Sequence, residues 1–199
     1  MATLVQKPAP EFTATAVTAD DDIKQVSLAD YRGKYVILFF YPLDFTFVCP
    51  SEIIAFDQKH AEFAKRDCVV LGCSVDSEWT HLAWRRTPRS EGGIGPVQYP
   101  LIADLDKTIG RKYGILFGDK AALRALFLID KNGVVRHELV NDLPLGRSVD
   151  EALRLVDALR FVDAHAAEDL VCPANWTEGA DAMKASTEGV AKYLAAHTG

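Results

Sequence analysis

The sequence predicts an α/β fold, a central mixed β-sheet flanked by helices, followed by a C-terminal extension of different character. Three observations predict it. The apolar runs YVILFFY (35–41) and CVVLGCSV (68–75) read as strands buried on both faces. Between them and after them lie segments with apolar residues at steps of three and four, the pattern of amphipathic helices. Past His165 the chain turns to small polar residues with Pro173 and Gly179, which no core element requires. A chain of 199 residues, 49% hydrophobic, can bury one full core and leave residues over for an extension. The boundary falls between residues 1–165 and 166–199.

Each element follows from local chemistry. Residues 1–34 read as an irregular opening with a short strand or hairpin around Lys24 to Ser27 and a turn at 31–34, where Gly33 stands. The strand 35–41 ends at Pro42, which has no N–H for a ladder. Residues 50–66 read as one helix with Ile53, Phe56, His60 and Phe63 on one face, and His60 as a packing histidine. Residues 68–75 form the second buried strand, and Cys68 and Cys73 within it are structural. The segment SEWTHLAWRRT is a helix whose Trp79, His81 and Trp84 serve packing or an interface.

Residues 88–100 form a loop rich in proline and glycine, with neither the spacing of a dinucleotide fingerprint nor that of a phosphate loop. A short strand at Leu101 and Ile102 leads into a helix around 107–113. The runs 126–129 and 134–135 form a hairpin across Asp130 to Gly133, with Arg124 entering its first strand. Ser148 and Glu151 have the spacing of a capping box, opening a helix to about His165 whose core face is Val149, Ala152, Leu153, Val156 and Leu159. Alternating strands and helices closed by a hairpin and a helix make a thioredoxin-like pattern.

Charge narrows the partners. The 22 basic and 28 acidic residues leave a net charge of -6 without a block of basic residues, which argues against nucleic acid and anionic membrane. No apolar run reaches membrane-spanning length, and the N-terminal residues show no secretory pattern, so the cytoplasm is the expected compartment. Four cysteines, at 49, 68, 73 and 172, have neither zinc-site spacing nor the density of a disulfide scaffold. Reactivity is the better reason for keeping one.

Cys49 is the candidate. Pro50 suits the first helical turn and Glu52 the acid-favouring positions after it, which puts Cys49 about at the cap of the helix. Unpaired backbone N–H groups and the helix dipole both stabilise a thiolate there. Thr46, one turn upstream, can aim a hydroxyl at the same sulfur. The last cysteine, Cys172, lies in Val-Cys-Pro-Ala-Asn-Trp on a tail that reads as a mobile arm, with a short helix from about 181 to 194. A thiol exposed on such an arm needs a partner, and Cys49 is the obvious one.

These two segments resemble the signatures of the typical 2-Cys peroxiredoxins, the group that includes the catalytic subunit of alkyl hydroperoxide reductase. Pro42, Thr46 and Cys49 match the family's P-x-x-x-T-x-x-C pattern; Val171, Cys172, Pro173 and Trp176 match its resolving-cysteine motif. The likeness extends through residues 74–84, 126–130 and 141–161, and covers the chain from about Thr3. It implies a thioredoxin-like fold and a thiol-dependent peroxidase reducing hydrogen peroxide and organic hydroperoxides. Cys49 would be the peroxidatic cysteine and Cys172 the resolving one, with Arg124 holding thiolate and peroxide. Thr46 would bond the peroxide oxygens, Pro42 would shield the sulfur, and Glu52 and Arg147 would orient Arg124. It further implies an inter-subunit Cys49–Cys172 disulfide in an antiparallel homodimer, a decamer of five dimers, and re-reduction by thioredoxin or a dedicated flavoprotein. No bound metal or organic cofactor is implied.

Two departures from the pattern bear on regulation. Members sensitive to overoxidation carry Gly-Gly-Leu-Gly and a Tyr-Phe pair, where this chain has Gly92-Gly93-Ile94-Gly95 and Tyr193-Leu194. Intermediate sensitivity is expected, because leucine removes a ring from the packing over the Cys49 helix. Two other readings compete: a general thiol-disulfide oxidoreductase, disfavoured because Cys49 has no second cysteine two residues away, and a holdase chaperone acting as an assembly.

Overall fold

In the computed structural model, which describes residues 3–197, the chain opens with an antiparallel hairpin of β1 (Thr13–Val17) and β2 (Ile23–Ser27). The expected strand at 24–27 is its second arm. Its first arm lies in the stretch read as irregular, because TATAV alternates small and β-branched residues too mildly to register as a buried run. β3 (Tyr35–Phe40) is buried at every position. Next along the chain are α1 (Cys49–Gln58), α2 (His60–Lys65), β4 (Cys68–Ser74), α3 (Glu78–Arg86), β5 (Leu101–Ala103) and α4 (Thr108–Lys112). A small pair, β6 (Leu116–Phe117) and β7 (Ala121–Ala122), precedes the hairpin β8 (Arg124–Ile129) and β9 (Val135–Asn141).

Among the described residues seven of these strands form one mixed sheet, in the order β2-β1-β5-β4-β3-β8-β9. β3 pairs in parallel with β4 and antiparallel with β8, so it sits inside the sheet with side chains alternating between two covered faces. Val36, Leu38 and Phe40 join a core with Phe127 from β8 and with Ile109 and Tyr113 around α4. Phe39 faces the other way, stacked on Phe56 of α1 at 4.5 Å and edge-on to Tyr99 at 5.9 Å. Burying an aromatic ring of this kind stabilises the fold by up to about 3 kcal/mol, which anchors α1 to the sheet. Helices thus cover both faces, as the order of elements predicts.

The helix expected over 50–66 is two helices. Lys59, at φ -100 and ψ 4, ends α1 and starts α2, and the bend keeps Phe63 within 6.0 Å of Phe56. Ile53, Phe56 and Phe63 are fully buried, whereas His60 on the same face is half-buried. In the β8–β9 turn Gly133 takes φ 78 and the Asp130 carboxylate accepts the N–H groups of Asn132 and Val134.

The chain divides into two compact units after Val149. The second holds α5 (Val149–Ala164) from its second residue onward, the antiparallel pair β10 (Leu170–Val171) and β11 (Met183–Lys184), and α6 (Thr187–His197). All five α5 residues assigned to a core face are buried. The tail helix begins later than the sequence suggested, because Ser186 caps it: its hydroxyl accepts the Gly189 N–H at 3.0 Å. Residues 172–180 are also better tied down than a free arm. Trp176 is buried, its ring 4.9 Å from Phe161, and its indole N–H donates to Ala180.

Candidate active site

The pocket forms where β3 runs out. Pro42 ends the ladder and is buried, and residues 43–48 carry the chain to α1. Cys49 is the first residue of that helix; the cap position belongs to Val48, one residue earlier than the sequence reading placed it. Because β8 runs antiparallel to β3, with Phe39 opposite Leu126, the start of β8 lies beside the end of β3. Arg124, the first residue of β8, therefore reaches Cys49.

Two donors meet the sulfur. The Thr46 hydroxyl lies 2.9 Å from Cys49 Sγ and Arg124 Nη1 lies 3.3 Å from it. The same hydroxyl is 2.8 Å from the Leu43 carbonyl. Its single proton serves one acceptor at a time, and an ionised sulfur is the stronger claimant. Cys49 itself is fully buried.

Behind the sulfur lies a buried ion network. Arg124 Nη1 also donates to Glu52 Oε2 at 2.7 Å, and Arg124 Nε to the Leu143 carbonyl at 2.5 Å. Arg147 grips the same carboxylate through Nε (2.7 Å), Nη2 (2.8 Å) and its backbone N–H (2.9 Å). Its remaining Nη1 donates to the carbonyls of Phe40 and Ala125, on β3 and β8. Burial pushes the Glu52 carboxyl up, but the hydrogen bonds and charge of Arg147, with the charge of Arg124, hold it below its ordinary value. Glu52 stays ionised and fixes where Arg124 points.

A second buried cluster escaped the sequence reading. Asp44, in the loop before Cys49, pairs with His81 of α3 at 2.7 Å and accepts the Tyr41 hydroxyl at 2.9 Å. His81 is also 3.1 Å from the Ile102 carbonyl, through its other nitrogen. Asp44 N–H in turn donates to Asp76 at 2.8 Å. Burial raises the Asp44 carboxyl, partly offset by His81. The sequence treated His81 as packing; an aspartate set among apolar residues at 43–48 was the available signal.

The structure brings Thr46, Cys49, Glu52, Arg124 and Arg147 together in the first unit, with Pro42 buried just past the end of β3. Cys172 lies in the second unit, half-buried where an exposed thiol was expected, with its thiol 3.6 Å from the Ala158 carbonyl. Cys73 is fully buried, and burial, with the charge of Asp104, pushes its thiol well up. It has no nucleophilic part to play. Among the described residues no cluster of His, Cys, Asp and Glu is arranged to hold a metal, and no helix is long and apolar enough to cross a membrane.

The AhpC/TSA family profile matches residues 5–138, and that of the C-terminal domain of 1-Cys peroxiredoxin matches residues 158–196. Peroxiredoxin-2 of Bos taurus is 56% identical over 194 residues, covering 97% of this chain and 96% of that protein. A thioredoxin peroxidase of Echinococcus granulosus is 53% identical over 195 residues, covering 98% and 99%. The crystal structure of a reduced 2-Cys peroxiredoxin of Plasmodium vivax superposes with a TM-score of 0.93 at 53% identity, covering 98% of this chain and all of that one.

Proposed function

The chain belongs to the AhpC/TSA family as a 2-Cys peroxiredoxin and is a thiol-dependent peroxidase, and from that premise we propose that Cys49 is its peroxidatic cysteine and Cys172 its resolving one. The observation that carries the first assignment is the convergence of Thr46 and Arg124 on one buried sulfur.

The ionised sulfur attacks one oxygen of the peroxide in line with the O–O bond. Thr46 and Arg124 then supply hydrogen bonds to the peroxide oxygens, where negative charge builds on the leaving one. Water or an alcohol departs and Cys49 becomes a sulfenic acid. Pro42 keeps water from the sulfur; Glu52 and Arg147 hold Arg124 in position.

A disulfide places its two sulfurs about 2.0 Å apart. Cys49 Sγ has no exposed surface, so the first turn of α1 must open before a second sulfur arrives. Cys172, on the arm from residue 166 onward, forms the bond with Cys49 of a second subunit. An external dithiol then reduces it by exchange. Thioredoxin is the donor we propose, since a relative of this identity is named a thioredoxin peroxidase. Five antiparallel dimers assemble into a decamer in the cytoplasm, a reading supported by large exposed apolar side chains at Phe45, Phe47, Trp79 and Leu105. Hydrogen peroxide consumption with thioredoxin, thioredoxin reductase and NADPH tests the assignment. Cys49→Ser is expected to abolish turnover; retained turnover would overturn it.

A further inference from the structure

Cys172 rests against one face of α5. Its thiol points at the Ala158 carbonyl, and one helical turn earlier on that face Arg154 Nη1 donates to the Trp176 carbonyl at 2.8 Å. The resolving segment is therefore lashed to α5 at both ends. Arg154 is itself clasped by Glu151, with Nε to Oε2 at 2.6 Å and Nη2 to Oε1 at 2.8 Å. Further along α5, Asp157 and Arg160 pair with each other, while Arg160 also faces Glu178 at 4.0 Å. Lys184 stands on β11, the strand beside β10. Burial pushes the Cys172 thiol up, and Arg154 is the charge that draws it back down.

We propose that Arg154 is a positioning residue for the resolving step: it holds the 172–176 segment on α5 and, tempered by Glu151, places a positive charge one helical turn from where the Cys172 thiol rests. The inference rests on reading Cys172 as the resolving cysteine. In that step the Cys172 sulfur attacks the sulfenic sulfur of Cys49. The S–S bond forms as the S–O bond breaks, and the oxygen leaves with the thiol's proton as water. Cys172 is oxidised to the disulfide level and the sulfenic acid is reduced to it. No further reactant is required.

Arg154 thus acts on the nucleophile through its thiolate fraction, which at neutral pH is the minor form of a thiol held above its ordinary value. Glu151 has the opposite influence, because its carboxylate neutralises part of the guanidinium charge. The two residues form a pair whose single removals push the resolving step in opposite directions.

Stopped-flow fluorescence of the full chain, mixed with one equivalent of hydrogen peroxide between pH 6 and 9, separates the oxidation phase from the resolving phase. Arg154→Gln is expected to slow the resolving phase by about 3- to 10-fold at neutral pH and to shift its alkaline rise to higher pH. Glu151→Gln is expected to speed it and shift the rise to lower pH, and Arg154→Lys to recover most of the wild-type profile. Slowing in both Arg154→Gln and Glu151→Gln without displacement of the pH profile would mean a merely structural role and overturn the proposal. Wild type without a Cys49–Cys172 disulfide would overturn the underlying reading and the proposal with it. A wild type with the disulfide, alongside an unchanged Arg154→Gln profile, would overturn this proposal alone.

Discussion

Cys49 and Cys172 share a chain and, by our reading, a bond, yet their surroundings are opposite. Cys49 faces two donors, the hydroxyl of Thr46 and the guanidinium of Arg124, backed by a carboxylate that two arginines hold ionised. Cys172 faces an acceptor, the Ala158 carbonyl, and burial pushes its thiol up. Donors stabilise a charged sulfur; an acceptor keeps the proton on. By our reading one environment is built for attack and the other for waiting, and the difference lies in which polar groups face the sulfur: side-chain donors at Cys49 and a backbone carbonyl at Cys172.

The contrast is most exposed at Arg147. Removing it leaves the Glu52 carboxylate buried with only Arg124, and Arg147→Ala is expected to destabilise the fold by about 3–5 kcal/mol in urea unfolding. A change below about 1 kcal/mol would mean that the network is dispensable. The same network carries a pH signature. Glu52 is held below its ordinary value of 4.5, so its stabilising contribution is complete above that pH and is lost as the pH falls through the depressed folded value. Wild type should therefore lose stability on acidification below pH 4.5 more steeply than Arg147→Ala.

Arg124 comes next. Arg124→Gln removes a charged donor from the sulfur and from the peroxide, and the second-order rate of peroxide reduction should fall by about 10²- to 10³-fold. A rate within a few-fold of wild type would contradict the pocket described. The smallest effect belongs to Thr46, whose proton is divided between Leu43 and the sulfur. Thr46→Val should slow peroxide reduction by about 10-fold, the worth of one hydrogen bond to a charged group, while Thr46→Ser keeps most of the rate. Equal losses in the two variants would point to packing instead of the hydroxyl.

The sequence showed much of the first environment and little of the second. A seven-residue apolar run ended by proline is enough to place β3 in the interior, and Pro50 and Glu52 mark the start of α1 to within a residue. Arg124 and Arg147 were reached only through family resemblance, since their positions depend on antiparallel pairing of β8 with β3 and on contacts across 72 and 95 residues of chain. The break at Lys59 carried no glycine or proline to announce it. The Asp44–His81 pair was hidden because each residue alone has an ordinary explanation. The tail departs from expectation in two particulars, the half-buried Cys172 and the later start of its helix, because the contacts of Trp176 with Arg154 and Ala180 and the Ser186 cap are not visible in a run of small polar residues.

Non-reducing gel electrophoresis of wild type, Cys49→Ser and Cys172→Ser after one equivalent of hydrogen peroxide tests the central claim most directly. The account predicts a disulfide-linked dimer in wild type that is absent from both variants. A wild type that stays monomeric, or a dimer that survives either substitution, would contradict the pairing of a thiol prepared for attack with one held in waiting.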